Sequence, residues 1–424
     1  MLNPDAIDRK GWCPGALRPM LSGDGLIVRV RPLLGTLRLP ELRALGAAAA
    51  RFGNGQIDLT RRANLQLRGV TDATLAPLQH AIRDLGLLDA EAAAESVRNL
   101  MVSPLVGLDP AADDMRDVAA ALSLRLEDDR ALWALPGKFG FVVDGGGALD
   151  LAKERADIRL TAIENGARFA IGLDRPGRIE WLGAVARDAA ADAAAAIAAD
   201  FTGLANAHDR MRDLADPDIA RIHARVAAQL APLAQAPAHH GPTARVGLFA
   251  FDAAHMAVGI AAPFGRLEAD QIDMLTTAAA QAGVSDIRLS PWRVLYAQVS
   301  DTASAHRLLD AAAAAGLIVS PDDPLLRIEA CPGAPSCAST SLDTRATARI
   351  LAAHWPAGFT GSVHVSGCAK GCARSAPSDL VLVGANDFYG IVRNGTPRDS
   401  FSGEASMADL AEHPDHIFRF KAHA

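Results

Sequence analysis

The sequence is poor in lysine, cysteine and long apolar runs. Only five of its 42 basic residues are lysines, so arginine carries nearly all the positive charge. No stretch of 18 or more uncharged apolar residues occurs, which argues against a membrane-spanning helix. The opening residues, MLNPDAIDRKGW, carry charges where a secretory signal has an apolar run. We therefore expect a cytoplasmic protein with no membrane partner.

Several ligand-binding motifs are also missing. No G-x-G-x-x-G follows a predicted strand, no P-loop occurs, and the twelve histidines form no H-x-x-x-H pair. The net charge of −7 argues against a nucleic-acid partner. The charge is uneven, however: residues 1–70 hold eleven Lys/Arg and five Asp/Glu, a local +6, so the remainder sums to −13. This basic segment suits an anionic small molecule, although charge can also vary along a chain without a function.

An internal repeat at a constant offset of 230 residues organises the chain. GTLRLPELRALGAAAARFG and GRLEADQIDMLTTAAAQAG begin at the paired residues Gly35 and Gly265. The following segments, QIDLTRRANLQL and DIRLSPWRVLYA, keep the same offset. Other pairs that share it are Gly53 with Gly283, Ile57 with Ile287, Leu59 with Leu289, Leu65 with Leu295, and Gly86 with Gly316.

Each repeat has the pattern strand–helix–strand–strand–helix, which is typical of a ferredoxin-like unit. In the first copy Val28 and Val30 alternate with arginines as in a strand, 40–52 has helical periodicity, and 57–60 and 65–67 have strand patterns before a helix over 72–85. We predict an α+β protein with pseudo-twofold symmetry. Its expected parts are a first ferredoxin-like half (1–90), a first α+β domain (91–229), a linker (230–243), a second ferredoxin-like half (244–320) and a second α+β domain (321–424).

Four of the five cysteines lie close together in the second α+β domain. They form C-x5-C at Cys331 and Cys337 and, after thirty residues, C-x3-C at Cys368 and Cys372. Four thiolates from two short loops are the usual ligand set of a [4Fe–4S] cluster. The glycines and prolines between them suit tight loops that aim sulfur atoms and backbone N–H groups at one point. The spacing therefore predicts an iron–sulfur cluster.

Three other interpretations of these cysteines compete. Structural zinc loops prefer two to four residues between cysteines, so five is unusual. Inert buried thiols would not explain why four of so few cysteines lie together in two short loops. Disulfides do not suit a reducing compartment. The fifth cysteine, Cys13 in GWCPGALRPM, is interpreted as a free thiol rather than as a further ligand.

The first repeat carries a basic face. Arg29 and Arg31 lie on one side of a strand, and Asn64, Gln66 and Arg68 share a side of another, with Arg61 and Arg62 at the preceding turn. Planar guanidinium groups bind carboxylates through paired hydrogen bonds, so this face suits a polycarboxylate. The alternative, which spacing alone slightly favours, is the solvated side of an antiparallel sheet.

Two later segments extend this picture. SVRNLMVSPLVG presents Arg98, and ALPGKFGFVV presents Lys138 ahead of a buried-strand pattern. Lys138 pairs with Cys368 at the offset of 230, as Gly137 does with Gly367. We therefore expect the lysine and the cysteine loop to occupy equivalent places in the two halves and to contribute to a shared pocket.

Taken together, these motifs resemble the nitrite/sulfite reductase superfamily over nearly the whole chain. The resemblance rests on the duplicated unit, LTRRANLQLRG, the Arg98 and Lys138 segments, and C-x5-C with C-x3-C. GWCPGALRPMLSGDGLIVRVRP together with GNGQIDLTRRANLQLRGV is most similar to the precorrin-3B synthases of aerobic cobalamin biosynthesis.

The resemblance implies a function. Enzymes of this kind convert precorrin-3A to precorrin-3B with O2, by hydroxylation at C20 and formation of a γ-lactone. They carry a [4Fe–4S] cluster and a mononuclear non-haem iron. By position, Cys331, Cys337, Cys368 and Cys372 would bind the cluster. Arg29, Arg62, Arg98 and Lys138 would bind the substrate carboxylates, and NADH-derived electrons would arrive through a separate reductase.

One departure from the reductase pattern bears on the alternatives. The reductases carry K-x-K in the lysine segment, whereas this chain has Lys138-Phe139-Gly140. The missing second lysine favours the oxygenase over a sirohaem-dependent sulfite or nitrite reductase, which is the second hypothesis. A non-enzymatic iron–sulfur electron carrier is the third, and it would leave the duplication and the basic face without a role. The sequence does not assign the ligands of the non-haem iron.

Overall fold

A computed structural model describes residues 12–204, 206, 209–239 and 244–418. The chain divides into two compact units. Among the described residues, one unit comprises 12–20 with 26–319, and the other comprises 21–25 with 320–418. None of the helices in these ranges combines the length and the apolarity needed to cross a bilayer.

The first repeat contains the expected strand–helix–strand–strand–helix order, with two short strands, β1 and β3, that the sequence did not predict. Its elements are β1 (Met20–Ser22), β2 (Gly25–Val30), β3 (Thr36–Arg38), α1 (Leu39–Phe52), β4 (Gln56–Leu59), β5 (Leu65–Val70) and α2 (Asp72–Asp84). Thr71 caps α2 by accepting the N–H of Thr74, as its position before the first helical residue favours.

The second repeat has the same order of elements. They are β11 (Gly247–Ala250), β12 (Met256–Ala261), β13 (Arg266–Glu268), α7 (Ala269–Gln281), β14 (Asp286–Leu289), β15 (Val294–Val299) and α8 (Thr302–Ala314). Backbone details repeat at the offset of 230 as well: Leu34 and Phe264 both have positive φ, at 53° and 56°. The predicted duplication is confirmed.

The two repeats exchange strands, which the sequence did not predict. The sheets have the orders β1-β2-β5-β4-β13 and β11-β12-β15-β14-β3, so each contains one strand of the other repeat. In the first, Leu267 lies opposite Ile57; in the second, Leu37 lies opposite Ile287. These pairs are related by the offset of 230, so the exchange obeys the pseudo-twofold symmetry.

A single hydrophobic core spans both repeats. It includes Leu42 and Leu45 of α1 as well as Ile272 and Leu275 of α7, all nearly inaccessible to solvent. The helices approach closely at Gly46, where a Cβ would lie 2.9 Å from Ile272 Cγ2. Because this core is shared, neither repeat buries its apolar face by itself.

The first α+β segment lies between the repeats in sequence. Its elements are α3 (Ala92–Val97), β6 (Leu100–Val102), α4 (Arg116–Asp128), β7 (Phe141–Asp144), β8 (Ile158–Ile163), β9 (Arg168–Arg175), β10 (Arg178–Ala186), α5 (Ala190–Thr202) and α6 (Asp216–Val226). The sheet has the order β10-β9-β8-β7-β6. Strands β6, β7 and β8 are parallel to one another, whereas β9 pairs antiparallel with β8 and β10 pairs antiparallel with β9. The predicted linker, 230–243, ends in 240–243, which lie outside the described residues.

The second α+β segment repeats this sheet. It consists of β16 (Ile328–Ala330), α9 (Thr344–Ala353), β17 (Val363–Ser366), β18 (Ser378–Ala385), β19 (Phe388–Gly395), β20 (Gly403–Ser406) and α10 (Met407–Glu412). The order β16-β17-β18-β19-β20, with β16, β17 and β18 parallel, matches that of the first segment strand by strand.

This match corrects one expectation. Lys138 precedes β7, whereas Cys368 follows β17, the equivalent strand. The two residues therefore lie at opposite ends of corresponding strands, and the expected equivalence of lysine and cysteine loop is wrong. Strand β17 begins 222 residues after β7, and not 230, because the connections before these strands differ in length. The topological counterpart of the loop that begins at Gly367 is the turn that begins at Gly145.

Candidate functional site

The two cysteine loops leave the same edge of one sheet. Cys331 is the first residue after β16, and Cys368 is the second residue after β17. These strands are adjacent and parallel, with Ala330 opposite Val365. Because the carboxyl ends of parallel strands meet at one edge of a sheet, the two loops are brought together there.

Hydrogen bonds join the two loops. The N–H of Gly367 donates to Sγ of Cys331 at 3.2 Å. The N–H of Cys331 donates to the carbonyl of Val365, also at 3.2 Å. The Thr344 hydroxyl, at the start of α9, donates to the carbonyl of Cys331 at 2.7 Å. A backbone N–H aimed at a cysteine sulfur stabilises a thiolate, which is the form that binds iron.

Glycine is required where these loops pack. A Cβ at Gly367 would lie 2.5 Å from Cγ2 of Thr340. Gly371 and Gly333 both have φ of +63°, which favours glycine over any residue with a side chain. A Cβ at Gly23 would lie 3.1 Å from Cα of Cys337. These glycines let several loop segments crowd around the cysteines.

The four cysteines are close enough to influence one another. Burial raises the pKa of Cys368, and Cys331 and Cys337 raise it further, against a backbone hydrogen bond from Lys370. Burial also raises the pKa of Cys372, with contributions from Cys331, Cys368 and Cys337. The nearby cysteines thus make Cys368 and Cys372 harder to ionise, and a metal centre bound there would offset this with positive charge.

The donor set of this group fits an iron–sulfur cluster. The cysteines stand on two short loops at the ends of adjacent parallel strands, and four cysteine thiolates are the usual ligands of a [4Fe–4S] cluster. The N–H of Gly367, which donates to Cys331 Sγ, suits a thiolate bound to iron. Within the described ranges, no group of three or more His, Cys, Asp or Glu side chains meets the geometry for one metal ion.

Most strand residues of the basic face are buried, so a solvated side of the sheet is wrong for them, whereas Arg61 at the turn is exposed. Arg29, Arg31 and Asn64 are 8%, 3% and 6% exposed. Arg29 donates to Oε1 of Gln66, its cross-strand partner, through Nη2 at 2.6 Å and Nε at 3.2 Å. Arg31 pairs with Glu95 at 3.1 Å. Burial lowers the pKa of Arg31 to about 10, with Arg29 adding to the decrease and Glu95 opposing it.

Arg62 joins this face to the lysine segment. Its Nη2 donates to the carbonyl of Lys138 at 2.6 Å, while the Lys138 side chain itself is exposed. Burial lowers the pKa of Arg62, and Cys13 partly offsets the decrease. Arg29, Arg31, Arg62 and the backbone at Lys138 thus belong to one site, which we call the arginine site.

Two of the basic residues singled out in the sequence have other partners. Arg98 forms a paired ion bridge with Asp89, with both distances 2.8 Å, and donates to the carbonyl of Arg31. Arg68 and Arg266, one from each repeat, both bind Asp58. Arg98 therefore borders the arginine site through the backbone of Arg31. Arg68 helps to join the exchanged strands.

Three further residues shape the site: Asn99 and Asp157 were not predicted, and Cys13 was predicted only as a free thiol. Asn99 donates from Nδ2 to the carbonyls of Ser96, Gly137 and Phe139 at 2.9, 3.2 and 3.1 Å. The buried carboxylate of Asp157 accepts the N–H of Gly140 at 2.8 Å and also binds Arg210. The sequence signal for Asn99 was its position next to Arg98 in SVRNLMV. Nothing local marks Asp157.

Cys13 is the third. Burial raises its pKa, but Arg29, Arg62 and Arg31 outweigh burial, and the net pKa lies below the ordinary value. Its backbone N–H group lies beside Gly137, where a Cβ would be 3.9 Å from the Cys13 nitrogen. Cys13 is not in a disulfide.

Comparison with known proteins supports the same class of fold. Residues 18–85 match the family described as the nitrite/sulfite reductase ferredoxin-like half domain. The solved structure of the Mycobacterium tuberculosis NirA protein superposes with a TM-score of 0.76, covering 93% of this chain and 80% of that chain at 20% identity. A ferredoxin-dependent sulfite reductase of M. tuberculosis is 25% identical over 390 residues, covering 84% of this chain and 69% of that protein.

The fold and the cysteine loops place the chain in the nitrite/sulfite reductase superfamily of oxidoreductases. A precorrin-3B synthase from Sinorhizobium sp is 36% identical over 395 residues, which cover 91% of this chain and 83% of that protein. The chain belongs to the precorrin-3B synthase family.

Proposed function

We propose that this protein is an O2-dependent oxygenase of aerobic cobalamin biosynthesis that converts precorrin-3A to precorrin-3B. The reaction hydroxylates C20 and closes a γ-lactone, so the product gains one oxygen atom. The second oxygen atom of O2 leaves as water, which requires two electrons and two protons. We propose NADH as their source, delivered through a separate reductase. The observation that carries the proposal is the 36% identity to a precorrin-3B synthase along 91% of the chain.

The arginine site supplies the means to bind the substrate. Precorrin-3A carries several acetate and propionate carboxylates, and guanidinium groups bind carboxylates through two parallel hydrogen bonds. Arg29 and Arg62 lie at this site, and Arg62 has a buried Nη1 with no hydrogen-bond partner in the described part of the chain. The exposed Lys138 adds a flexible positive charge at the edge. Arg98 supports the site by donating a hydrogen bond to the carbonyl of Arg31.

The cysteine loops supply the means to bring in electrons. Cys331, Cys337, Cys368 and Cys372 would hold a [4Fe–4S] cluster, and a bound cluster provides one-electron transfer. The Gly367 N–H at Cys331 Sγ helps to set its potential. For a mononuclear non-haem iron, the described ranges contain no group of three His, Cys, Asp or Glu side chains suited to one metal ion. No step is therefore assigned to such an iron.

A sirohaem-dependent sulfite or nitrite reductase is the second candidate, supported by the relatives in that superfamily. The lysine segment differs from that of the reductases, because Gly140 stands where K-x-K has its second lysine. A Cβ at Gly140 would be in ordinary van der Waals contact, 3.5 Å from Arg62 Nη1 and 3.6 Å from the Asn99 carbonyl oxygen, so the backbone leaves room for a side chain. The missing lysine is therefore a difference of sequence, and it favours the oxygenase.

The test uses anaerobically purified protein with its metals in place. Iron, sulfide and the visible spectrum are measured first. The protein is then supplied with precorrin-3A, a reductant and 18O2. We expect an iron–sulfur spectrum without a sirohaem band, and a product that carries one 18O atom. A bound sirohaem, with reduction of sulfite or nitrite and no oxygenated product, would overturn the proposal in favour of the reductase.

Variants test the binding role. Arg62→Gln should raise KM for precorrin-3A about tenfold, the effect of losing about 1.4 kcal/mol of binding. Arg38→Gln is the matched control, because the Arg38 side chain is 73% exposed. Oxygenation that proceeds equally well in Arg62→Gln would remove Arg62 from the binding role. Electron transfer without turnover of any of these substrates would favour the electron carrier.

A further inference from the structure

A cavity of about 470 Å³ lies beside the turn between β9 and β10. Cavities of about 300–1,000 Å³ are usual for small-molecule ligands. Among the described residues, and one histidine aside, six cationic and two acidic side chains line it, which leaves an excess of four positive charges. Such an excess favours an anionic ligand. The cationic residues are Lys153, Arg155, Arg159, Arg175, Arg178 and Arg212.

A buried arginine of β8 fixes one loop of this wall. Arg159 is 4% exposed and donates from Nη1 to the carbonyl of Leu151 at 2.8 Å and from Nη2 to that of Glu154 at 2.5 Å. Lys153 and Arg155 belong to the same loop, and their side chains are exposed. Because their backbone is held in place, these two cations lose less freedom when they bind a ligand.

A buried arginine of β9 fixes a second loop in the same way. Arg175 is 6% exposed, and its Nη1 donates to the carbonyls of Met211 and Leu214 at 3.3 and 2.8 Å. Arg212, which lines the cavity, lies in this loop. The Nε atom of Arg175 is buried and has no hydrogen-bond partner in the described part of the chain, although Glu180 lies 3.5 Å from it. The wall is therefore built before a ligand arrives.

The register of the hairpin brings two of these arginines directly opposite each other. Arg175 of β9 faces Arg178 of β10 across a two-residue turn. Like charges at opposed positions destabilise a sheet. Asp216 binds Nη2 of Arg175 at 2.5 Å, while Glu180 pairs with both arginines, at 3.5 and 3.3 Å. An anion in the cavity would reduce the repulsion that one shared carboxylate offsets only in part.

The two acidic side chains of the wall leave the outer cations available. Oε1 of Glu154 accepts the indole N–H of Trp292 at 2.7 Å. Asp174 is 3.8 Å from Arg212, which is too long for a hydrogen bond. Burial raises the pKa of Asp174, and Arg212 opposes this effect. The exposed cations of the wall therefore remain free to bind a ligand.

We propose that this cavity is a binding site for a small polycarboxylate. Guanidinium groups bind carboxylates through two parallel hydrogen bonds, and several of them around one cavity favour a ligand with more than one carboxylate. The carboxylates can belong to a free small molecule or to the arms of a tetrapyrrole. The inference does not rest on the oxygenase proposal, since none of the residues that line this cavity belongs to the arginine site.

Propane-1,2,3-tricarboxylate is the probe, because it lacks the hydroxyl through which citrate chelates iron. Calorimetric titration of the metal-loaded protein gives Kd, and amide hydrogen exchange locates the bound probe. We expect slower exchange in residues 151–156 and 175–178. We also expect binding to weaken in 1 M salt, where the Debye length is about 3 Å. The uncharged tricarboxamide should not bind.

Variants assign the binding to this cavity. Arg155→Gln and Arg178→Gln change exposed side chains, so both should fold, and each should raise Kd about tenfold. Arg38→Gln is the matched control. Arg62→Gln should leave the protection of the two segments unchanged. Binding that is lost in Arg62→Gln and retained in Arg155→Gln would assign it to the arginine site and overturn the proposal, as would a protein that does not bind the tricarboxylate.

Precorrin-3A, added without O2 or reductant, distinguishes the two sources of carboxylate. If it displaces the probe and protects the same segments, the arms of the tetrapyrrole occupy the cavity. If the probe stays bound, the ligand is a free polycarboxylate. Incorporation of 18O, which tests the oxygenase proposal, does not depend on either result, so the two proposals fail independently.

Discussion

The hydroxyl of Ser103 donates a hydrogen bond at 2.7 Å to Oδ1 of Asp144, the last residue of β7. Ser103 is the first residue after β6, as Cys331 is the first after β16. Asp109 lies six residues beyond Ser103, as Cys337 does beyond Cys331, and it accepts the N–H of Ala148. The first α+β segment therefore has a hydroxyl and a carboxylate, Ser103 and Asp109, at the positions where the second has the thiols of Cys331 and Cys337.

The carboxylate of Asp144 supports the structure of the first segment. It is 2% exposed, and besides Ser103 it accepts the N–H groups of Gly146 and Leu151 at 3.0 and 2.9 Å. Asp144→Ala leaves three donors, two of them buried, without this acceptor. We expect the free energy of unfolding to fall by about 2–3 kcal/mol, from about 1 kcal/mol for each bond. Urea denaturation followed by circular dichroism measures it.

Asp129→Ala is the control for that prediction. Asp129 is exposed and makes one capping bond, to the N–H of Ala131 at 2.9 Å. Its loss should cost about 0.5–1 kcal/mol. An equal fall in the free energy of unfolding in the two variants would show that the hydrogen bonds of Asp144 stabilise the fold no more than a helix cap does.

The assignment of the cluster ligands predicts which cysteines matter for iron. Serine at Cys331, Cys337, Cys368 or Cys372 should lower the iron and acid-labile sulfide content of the purified protein strongly, since each thiolate binds one iron. Cys13→Ser is the matched control and should keep the full content. A variant of one of the four that retains four irons and four sulfides per chain would remove that cysteine from the ligand set.

The side chain of Asn99 predicts an effect on substrate binding. It holds the carbonyls on both sides of Lys138, so Asn99→Ala should loosen the Lys138 segment. With oxygenase turnover as the assay, KM for precorrin-3A should rise about fivefold, as a loss of about 1 kcal/mol implies. Gln281→Ala, which removes an exposed amide at the end of α7, should leave KM unchanged. A fall in kcat alone would contradict a positioning role.

The helix cap at Asp301 predicts a dependence of stability on pH. Its carboxylate accepts the N–H of Ser304 at 2.7 Å, and hydrogen bonds from Ser304 and Ser300 lower its pKa from 3.8 to about 2. A depressed carboxyl pKa contributes stability above the unfolded value, and this contribution is lost as the pH falls from about 4 towards 2.

Asp301→Ala should therefore be less stable than the unaltered protein at pH 6, and the difference should narrow below pH 4. Urea midpoints across this range measure it. Asp310→Ala, an exposed change in the same helix, gives the comparison. A difference that stays constant down to pH 3 would exclude the cap as its source.

Local patterns were sufficient for the elements of the repeats. The alternation at Val28 and Val30, the helical periodicity before Gly53 and the turn before Leu65 all correspond to observed elements. These signals depend on residues close together in sequence. The exchange of β3 and β13 left no such signal, because a three-residue strand pairs equally well in pattern with either repeat.

The sequence misled at one point because an offset counts residues and not strands. Lys138 and Cys368 are 230 residues apart, yet the connections before β7 and β17 differ in length, so the lysine precedes its strand and the cysteine follows. Asn99 was missed, and the place of Cys13 in the arginine site was not predicted, for the opposite reason. Each reaches the arginine site from a distant part of the chain, and only the packing of these segments shows it.

The sequence by itself determined the duplication, the four cysteines in two loops and the arginine-rich first repeat, since spacing and residue type are sufficient for these. The tertiary structure decided which side chains share a site. The parallel strands β16 and β17 align the cysteine loops, and burial turns a face that looked solvated into a set of constrained arginines around Cys13. The physical reason is that burial and charge at a site depend on segments far apart in the chain.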